Sequence, residues 1–297
     1  MIKIRIPATS ANVGAGFDSL GLAVTLYNEL HIDDYDGILV QPLDDVAIPV
    51  GEGNLVVRSM KLLYERCGRP FRGVKLGQFS PIPLSRGLGS SSACIVGGLL
   101  GANIQLGKPF SRDELIDIAT EIEGHPDNVT PAFLGGFVTS VFENGHVHCI
   151  KQDIADDLRF VVAIPDFKLK TVLARSVLPE SVSRTDCVYN LSRAALMSAA
   201  MHSRRYDLLR AASGDRLHQP YRIELIPGGA DIMGFMEGEG AYCSFISGAG
   251  SCIMAIVPAG DAGFADRLSA KVANQSDAIW RVDIFRADNT GAVCLSE

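Results

Sequence analysis

The chain has 297 residues, 47% of them hydrophobic, enough to bury a substantial core and more than a single unit of ordinary domain size needs. Its 27 Lys and Arg against 34 Asp and Glu leave a formal net charge of −7, so it has no basic field to hold a nucleic-acid backbone. The longest apolar stretch, residues 94–106, contains Asn103 and Gln105 and falls short of the roughly 20 residues that span a bilayer; it predicts a core helix and excludes a membrane anchor.

Residues 1–6 alternate as Met1-Ile2-Lys3-Ile4-Arg5-Ile6, a strand pattern where a secretory signal would carry a basic head and a continuous apolar run. The cysteines (Cys67, Cys94, Cys149, Cys187, Cys243, Cys252 and Cys294) form an odd set without a CxxC pair, mostly in apolar surroundings. They read as small buried hydrophobes in a protein of the reduced cytoplasm. Further strands are predicted at 21–32, 73–79 and 136–142, with helices at 54–67, 90–106 and 111–122. Ser111 followed by Glu114 predicts a capping box, and Gly124 with Pro126 ends that helix. The polar run 151–157 separates two apolar strands and predicts a boundary, giving domains 1–153 and 154–297. The second opens on a buried strand at 160–165 stopped by Pro165 and continues with one helical tract over 185–213. Strands at 241–246 and 252–257 are joined by Ser247-Gly248-Ala249-Gly250-Ser251, and a helix follows around 260–273, which suggests a sheet with helices on one face. Without a low-complexity linker or an internal repeat, the two domains are expected to pack tightly with a site between them.

The sharpest local pattern is residues 83–93, Pro83-Leu84-Ser85-Arg86-Gly87-Leu88-Gly89-Ser90-Ser91-Ser92-Ala93, between a strand and an apolar helix. Two glycines permit a tight turn with exposed N–H groups, and the following helix turns its positive end toward whatever sits in the turn. That suits a polyphosphate, and the serine hydroxyls suit phosphate oxygens or a hard divalent cation. The loop is neither a Walker A motif, since no Lys follows the glycines, nor a G-x-S-x-G nucleophile elbow. A bare GxGS is more often an ordinary turn; Pro83 at the strand exit and three consecutive serines carry this one beyond turn chemistry.

At this loop the chain resembles the GHMP kinases, whose signature is P-x-x-x-G-L-G-S-S-A; only Ser92 before Ala93 is extra. Residues 7–18 (PATSANVGAGFD) and 247–251 (SGAGS) match two further segments of that superfamily, and residues 121–131 (EIEGHPDNVTP) are similar to the E-G-H-P-D-N-V-A-P stretch of its homoserine kinase branch. The resemblance implies an α+β, two-domain GHMP kinase fold with mixed sheets, packed helices and the active site in the interdomain cleft. It implies ATP and Mg²⁺ as cofactors and L-homoserine as the small-molecule substrate, phosphorylated on its side-chain hydroxyl on the way to threonine; homodimers are common among such kinases. By the same resemblance Pro83, Arg86, Gly87, Leu88, Gly89, Ser90, Ser91 and Ser92 hold ATP, and Ser91 and Glu123 hold the metal. Asn12, Asp18, Asn128, Thr171, Arg175, Arg222 and Gly248 bind the substrate, with Glu123, Asn128 and Ser91 catalytic.

Asp18 suits the ammonium, the two arginines suit the carboxylate by bidentate geometry, and Thr171 with Asn128 suits the hydroxyl end. Taken alone, Glu123 reads as a solvated helix-end charge, Arg222 as a surface charge and Gly248-Ala249-Gly250 as a plain hairpin turn. The histidines offer little other chemistry, with His125 part of a turn. The chain departs from the family where Ser251 stands in place of Pro and Gly14-Ala15-Gly16 in place of Gly-Pro-Gly. Related kinases use an aspartate in the stretch matching Asp127-Asn128 as base, whereas homoserine kinases are usually read as lacking one; since phosphoryl transfer relies on positioning and electrostatics, direct in-line attack by the substrate hydroxyl is the working hypothesis beside an Asp127 base. Two rivals stand beside it: a GHMP kinase acting on another alcohol, and a relative that senses ATP without turnover.

Overall fold

The computed structural model describes residues 1–275 and 277–296. In chain order the elements are strands β1 (Ile2–Ala11), β2 (Leu20–Asp33) and β3 (Gly37–Pro42), helix α1 (Leu55–Arg66), strand β4 (Gly73–Phe79), and helices α2 (Ser90–Gln105), α3 (Arg112–Glu123) and α4 (Pro126–Leu134). Strands β5 (Phe137–Glu143), β6 (His146–Gln152) and β7 (Leu158–Pro165) follow, then helices α5 (Thr171–Ser176), α6 (Arg184–Ser203), α7 (Leu209–Ala212), α8 (Gln219–Arg222) and α9 (Gly229–Gly238). Strands β8 (Cys243–Ile246) and β9 (Ile253–Pro258), helix α10 (Phe264–Val272), and strands β10 (Trp280–Phe285) and β11 (Val293–Ser296) complete the chain.

The first sheet has the order β11-β1-β2-β4-β3, with β5 and β6 joined through β2. Strand β3 lies parallel to β4 and the other pairs are antiparallel. Ile4, Ile6 and Ala8 of β1 point into a core with Leu22 and Leu30 of β2. Fully burying each large aliphatic side chain contributes roughly 1.5–3 kcal/mol. Helix α2 lies across this core with most of its length buried, as a helix apolar on every side must. Its close approach to α1 depends on Gly98, where a Cβ would stand 2.6 Å from the Val56 carbonyl oxygen. Asn54 caps α1, accepting from the Val56 N–H, and Ser111 and Glu114 form the expected capping box on α3.

The second sheet runs β10-β7-β9-β8, antiparallel throughout. Strand alternation divides its residues. Val161, Ala163, Ile253 and Ala255 pack against α9 and α10, while Phe160, Val162, Met254 and Ile256 belong to the same core as the first sheet. The sheet is therefore covered on both faces, by helices on one and by the rest of the molecule on the other. Tight packing between the two sheets was expected; the tail was not, since β11 returns to pair with β1. The single tract predicted over 185–213 is broken because Arg204 adopts φ 56°, ending α6 before the short turns that lead to α7. Cys94, Cys243 and Cys252 are buried, whereas Cys187 and Cys294 are exposed, so the buried-hydrophobe reading holds for only part of the set.

Candidate active site

A cleft of about 360 Å³ opens between the two sheets. The glycine-serine loop lies at its centre, with Asn12 and Asn128 from the first half and Thr171, Arg175, Arg222 and Gly248 from the second along its walls. The loop reaches this place because β4 ends at Phe79 and α2 begins at Ser90, with Gly89 in the left-handed conformation at the N-cap. Gly87 is also left-handed (φ 83°), and a Cβ there would meet the Ser247 carbonyl oxygen at 1.9 Å. Glycine at 87 is thus required twice over, by its backbone angle and by the approach of the second half.

Hydrogen bonds stitch the loop to that half. Ser247 Oγ donates to the Gly87 carbonyl at 2.6 Å, the Cys252 N–H to Arg86 O and the Leu169 N–H to Ser85 O. Arg86 takes part in this stitching. Its guanidinium donates to the carbonyls of Pro165 (2.7 Å), Leu84 (3.3 Å) and Asp166 (2.5 Å), and it lies outside the cleft lining. Arg86, expected on the nucleotide, thus gives three of its five N–H donors to backbone carbonyls. Leu88 is buried, with its carbonyl accepting from the Thr9 N–H, and it lines the cleft together with Pro83 and Ser90.

At the start of α2, Ser91 Oγ and Ser92 Oγ donate to the two oxygens of Glu123, each at 3.0 Å. Glu123, at the end of α3, is therefore a carboxylate turned inward on two hydroxyls. Ser90 Oγ is buried without a partner among the described residues. The Ser91 and Ser92 hydroxyls with the Glu123 carboxylate form an all-oxygen set, the donor type that a hard divalent cation requires.

Beside the second-half wall of the cleft lies a charge pair. Arg175 Nη2 donates to Asp18 Oδ1 at 2.7 Å and Nη1 to Asp18 Oδ2 at 3.1 Å. Burial lowers the Arg175 pKa, but its bond to Asp18 and the Asp18 charge leave it raised on balance. Asn12, at φ 55°, holds this corner by accepting from the Asp18 N–H at 2.9 Å and donating to the Gly248 carbonyl at 2.9 Å. Arg222 is 1% exposed, which corrects its reading as a surface charge. Burial above all, with Arg175 close by, pulls its pKa down to about 10, so the guanidinium stays protonated at neutral pH. Both arginines stand over the Phe17 ring, at 5.5 and 5.1 Å from its centroid.

A further part of the cleft wall is set by α4, which sequence patterning missed because Pro126 and Pro131 look like breakers; Pro126 occupies the first turn, where no N–H bond is lost. Asn128 accepts from Thr9 Oγ1 at 2.8 Å. His125, expected in a turn, is the N-cap residue, and its Nδ1 lies 2.5 Å from Asp127 Oδ1. Asp127 is 0% exposed and absent from the cleft wall, while His125 and Asn128 are part of it. The opposite end of the cleft is an apolar slot lined by Ile48, Pro49, Leu55 and Cys94 with Asn54 and Gln78, residues without any motif to reveal them. Phe17 and His218 were likewise passed over, because only their contacts with the arginines mark them.

The family profile for the GHMP kinases N terminal domain matches residues 54–136, and that for the GHMP kinases C terminal region matches residues 196–274. The chain belongs to the GHMP kinase family. Among the relatives it resembles are homoserine kinases. That of Clostridium botulinum (strain Alaska E43 / Type E3) is 46% identical over 297 residues, covering 99% of each chain. That of Clostridium beijerinckii is 43% identical over 297 residues, again covering 99% of each. The crystal structure of homoserine kinase from Cytophaga hutchinsonii superposes with a TM-score of 0.87 at 28% identity, covering 99% of this chain and 97% of that one.

Proposed function

We propose that the protein transfers the γ-phosphoryl group of ATP to the side-chain hydroxyl of L-homoserine, giving O-phospho-L-homoserine. One observation carries this reading: a single cleft joins a left-handed glycine-serine loop at a helix N-terminus to a corner lined by Arg175 and Arg222, with Asp18 paired to Arg175 beside it. The first suits a polyphosphate and the second a zwitterionic amino acid, whereas a sugar would want neutral donors and acceptors. ATP would lie with its base in the slot by Leu55 and its phosphates on Gly87, Gly89 and the serines. Arg175 would exchange its Asp18 contact for the substrate carboxylate, freeing Asp18 for the ammonium, with Arg222 as second cation. Thr171 and Asn128 would hold the hydroxyl end. Ser91 and Glu123 would hold Mg²⁺, which when bound neutralises charge on the transferring phosphoryl group.

No buried base is needed in this account. Asp127 is engaged with His125, and the hydroxyl attacks in line while Asn128 positions it. The same reading takes residues 1–153 as the ATP-binding domain and 154–297 as the second domain, places the protein in the cytoplasm, and takes it as a homodimer, which light scattering would check. The functional test is ADP release with Mg-ATP and L-homoserine, mevalonate, galactose or L-threonine, with Arg175→Ala as control. Turnover confined to homoserine and lost in the control supports the reading. Turnover with another alcohol discards the pocket assignment, and ATP binding without turnover puts the sensor reading ahead.

A further inference from the structure

We infer that His218, outside the cleft wall and assigned no role above, is a positioning residue that aims Arg222 at the substrate carboxylate. The inference rests on the reading of Arg222 as a substrate cation. His218 is fully buried and stacks on Phe17 with ring centroids 5.3 Å apart. Its Nδ1 lies 3.3 Å from Arg222 Nη1, and its Nε2 lies 3.0 Å from the Gly14 carbonyl oxygen. A guanidinium only donates, so Nδ1 accepts; the ring proton is then on Nε2 and goes to Gly14. The tautomer is fixed from both sides. Burial, foremost, and the Arg222 charge hold the ring neutral, against Asp215, whose Oδ2 is 3.6 Å from Nε2.

Arg222 is left with its direction determined. Nε donates to the Ala174 carbonyl at 3.1 Å and Nη1 is shared between His218 and the Gly248 carbonyl at 3.2 Å, while Nη2 has no partner among the described residues. A buried guanidinium with one donor group left over is a fork prepared for an incoming carboxylate. His218 also ties that fork to Gly14 in the segment bearing Asn12 and Asp18, so the ammonium and carboxylate subsites share one support. Asp215 is in turn locked by the N–H groups of Leu217, His218 and Gln219, which fixes the start of α8 and with it the ring.

The test compares two polar replacements. His218→Asn keeps an acceptor near the Nδ1 position; His218→Gln extends toward the Nε2 position and gives up the acceptor facing Arg222. Steady-state kinetics should show the Gln variant with a homoserine KM raised about tenfold, equivalent to about 1.4 kcal/mol of binding, and an unchanged ATP KM. The Asn variant should recover most of that affinity. A purely structural role would reduce the amount of folded enzyme, lowering apparent kcat in both variants and leaving both KM values alone. Parental homoserine KM in the Gln variant, or equal increases in the two, overturns the inference. Arg222→Ala separates the premises: a raised homoserine KM there with parental values in both His218 variants removes only the role of His218, whereas an unchanged KM removes the role of Arg222 and this inference together.

Discussion

Replacing Gly87 by alanine tests how the phosphate loop is held. At φ 83° an alanine sits in the left-handed region, at a cost of roughly 1–2 kcal/mol. Its Cβ would also stand 1.9 Å from the Ser247 carbonyl oxygen and 3.1 Å from the Gly250 nitrogen. Relief requires more than about 1 Å of movement between two backbone segments, since carbon and oxygen reach contact only beyond about 3 Å. That movement acts first on the 2.6 Å bond from Ser247 Oγ to the Gly87 carbonyl and on the bond from the Cys252 N–H to Arg86, each worth about 1 kcal/mol. The combined loss is about 3–4 kcal/mol of stability, read as a lower denaturation midpoint. The loop N–H groups would also leave their alignment with the phosphates, so the ATP KM should rise at least about tenfold, with the homoserine KM at saturating ATP changing less. A variant with the parental midpoint and the parental ATP KM would refute the reasoning, because it would mean that neither the angle nor the interlock constrains this loop.

Glu123→Gln should lower kcat by about 100-fold or more, the scale of losing one charge-stabilising group, while Asp127→Asn leaves turnover within a few-fold. A collapse in Asp127→Asn with Asn128→Ala still active would favour a protein base instead. Arg86→Ala removes three bonds to backbone carbonyls and should lower stability by about 2 kcal/mol without changing which alcohol is phosphorylated; a parental denaturation midpoint would deny Arg86 its clamp. His125 predicts a pH dependence. Burial pulls its pKa down, but Asp127, with Glu123 and Asp18, raises it on balance, so the bound proton stabilises the fold below the ordinary value near 6.5, and that gain is lost as pH rises through the raised folded value. His218, lowered by burial, acts in the opposite sense, so the comparison is between the parent and His125→Gln. The parent's advantage should be larger at about pH 6 than at about pH 8.5, and an advantage independent of pH would rule the coupling out.

The sequence by itself determined the parts whose physics is local. Gly87 and Gly89 in the 83–93 loop, the Ser111–Glu114 capping box, and the first strands and helices rest on backbone angles and side-chain periodicity that neighbouring residues set. The similarity of four separated segments added the family and about half of the cleft residues. Contacts between distant segments lay beyond that reach. Arg86 sits within a phosphate motif and points at Pro165 and Asp166, because the approach of β7 offers carbonyls that need donors. Asp18 and Arg175 had been given separate ligand groups and instead hold each other, 157 positions apart in the chain. Without the resemblance Arg222 reads as a surface charge, and His218 carries no signal at all, until the fold buries both beside Phe17. Helix α4 escaped because proline is penalised inside a helix, yet one at the first turn costs nothing and Pro131 is absorbed by the packing around it. Strand β11 has too few residues to announce itself, and only the open edge of β1 gives it a partner. Local geometry is written in neighbouring residues, but where a charge points depends on which distant backbone or side chain the fold brings within about 3 Å, and that is decided by packing alone.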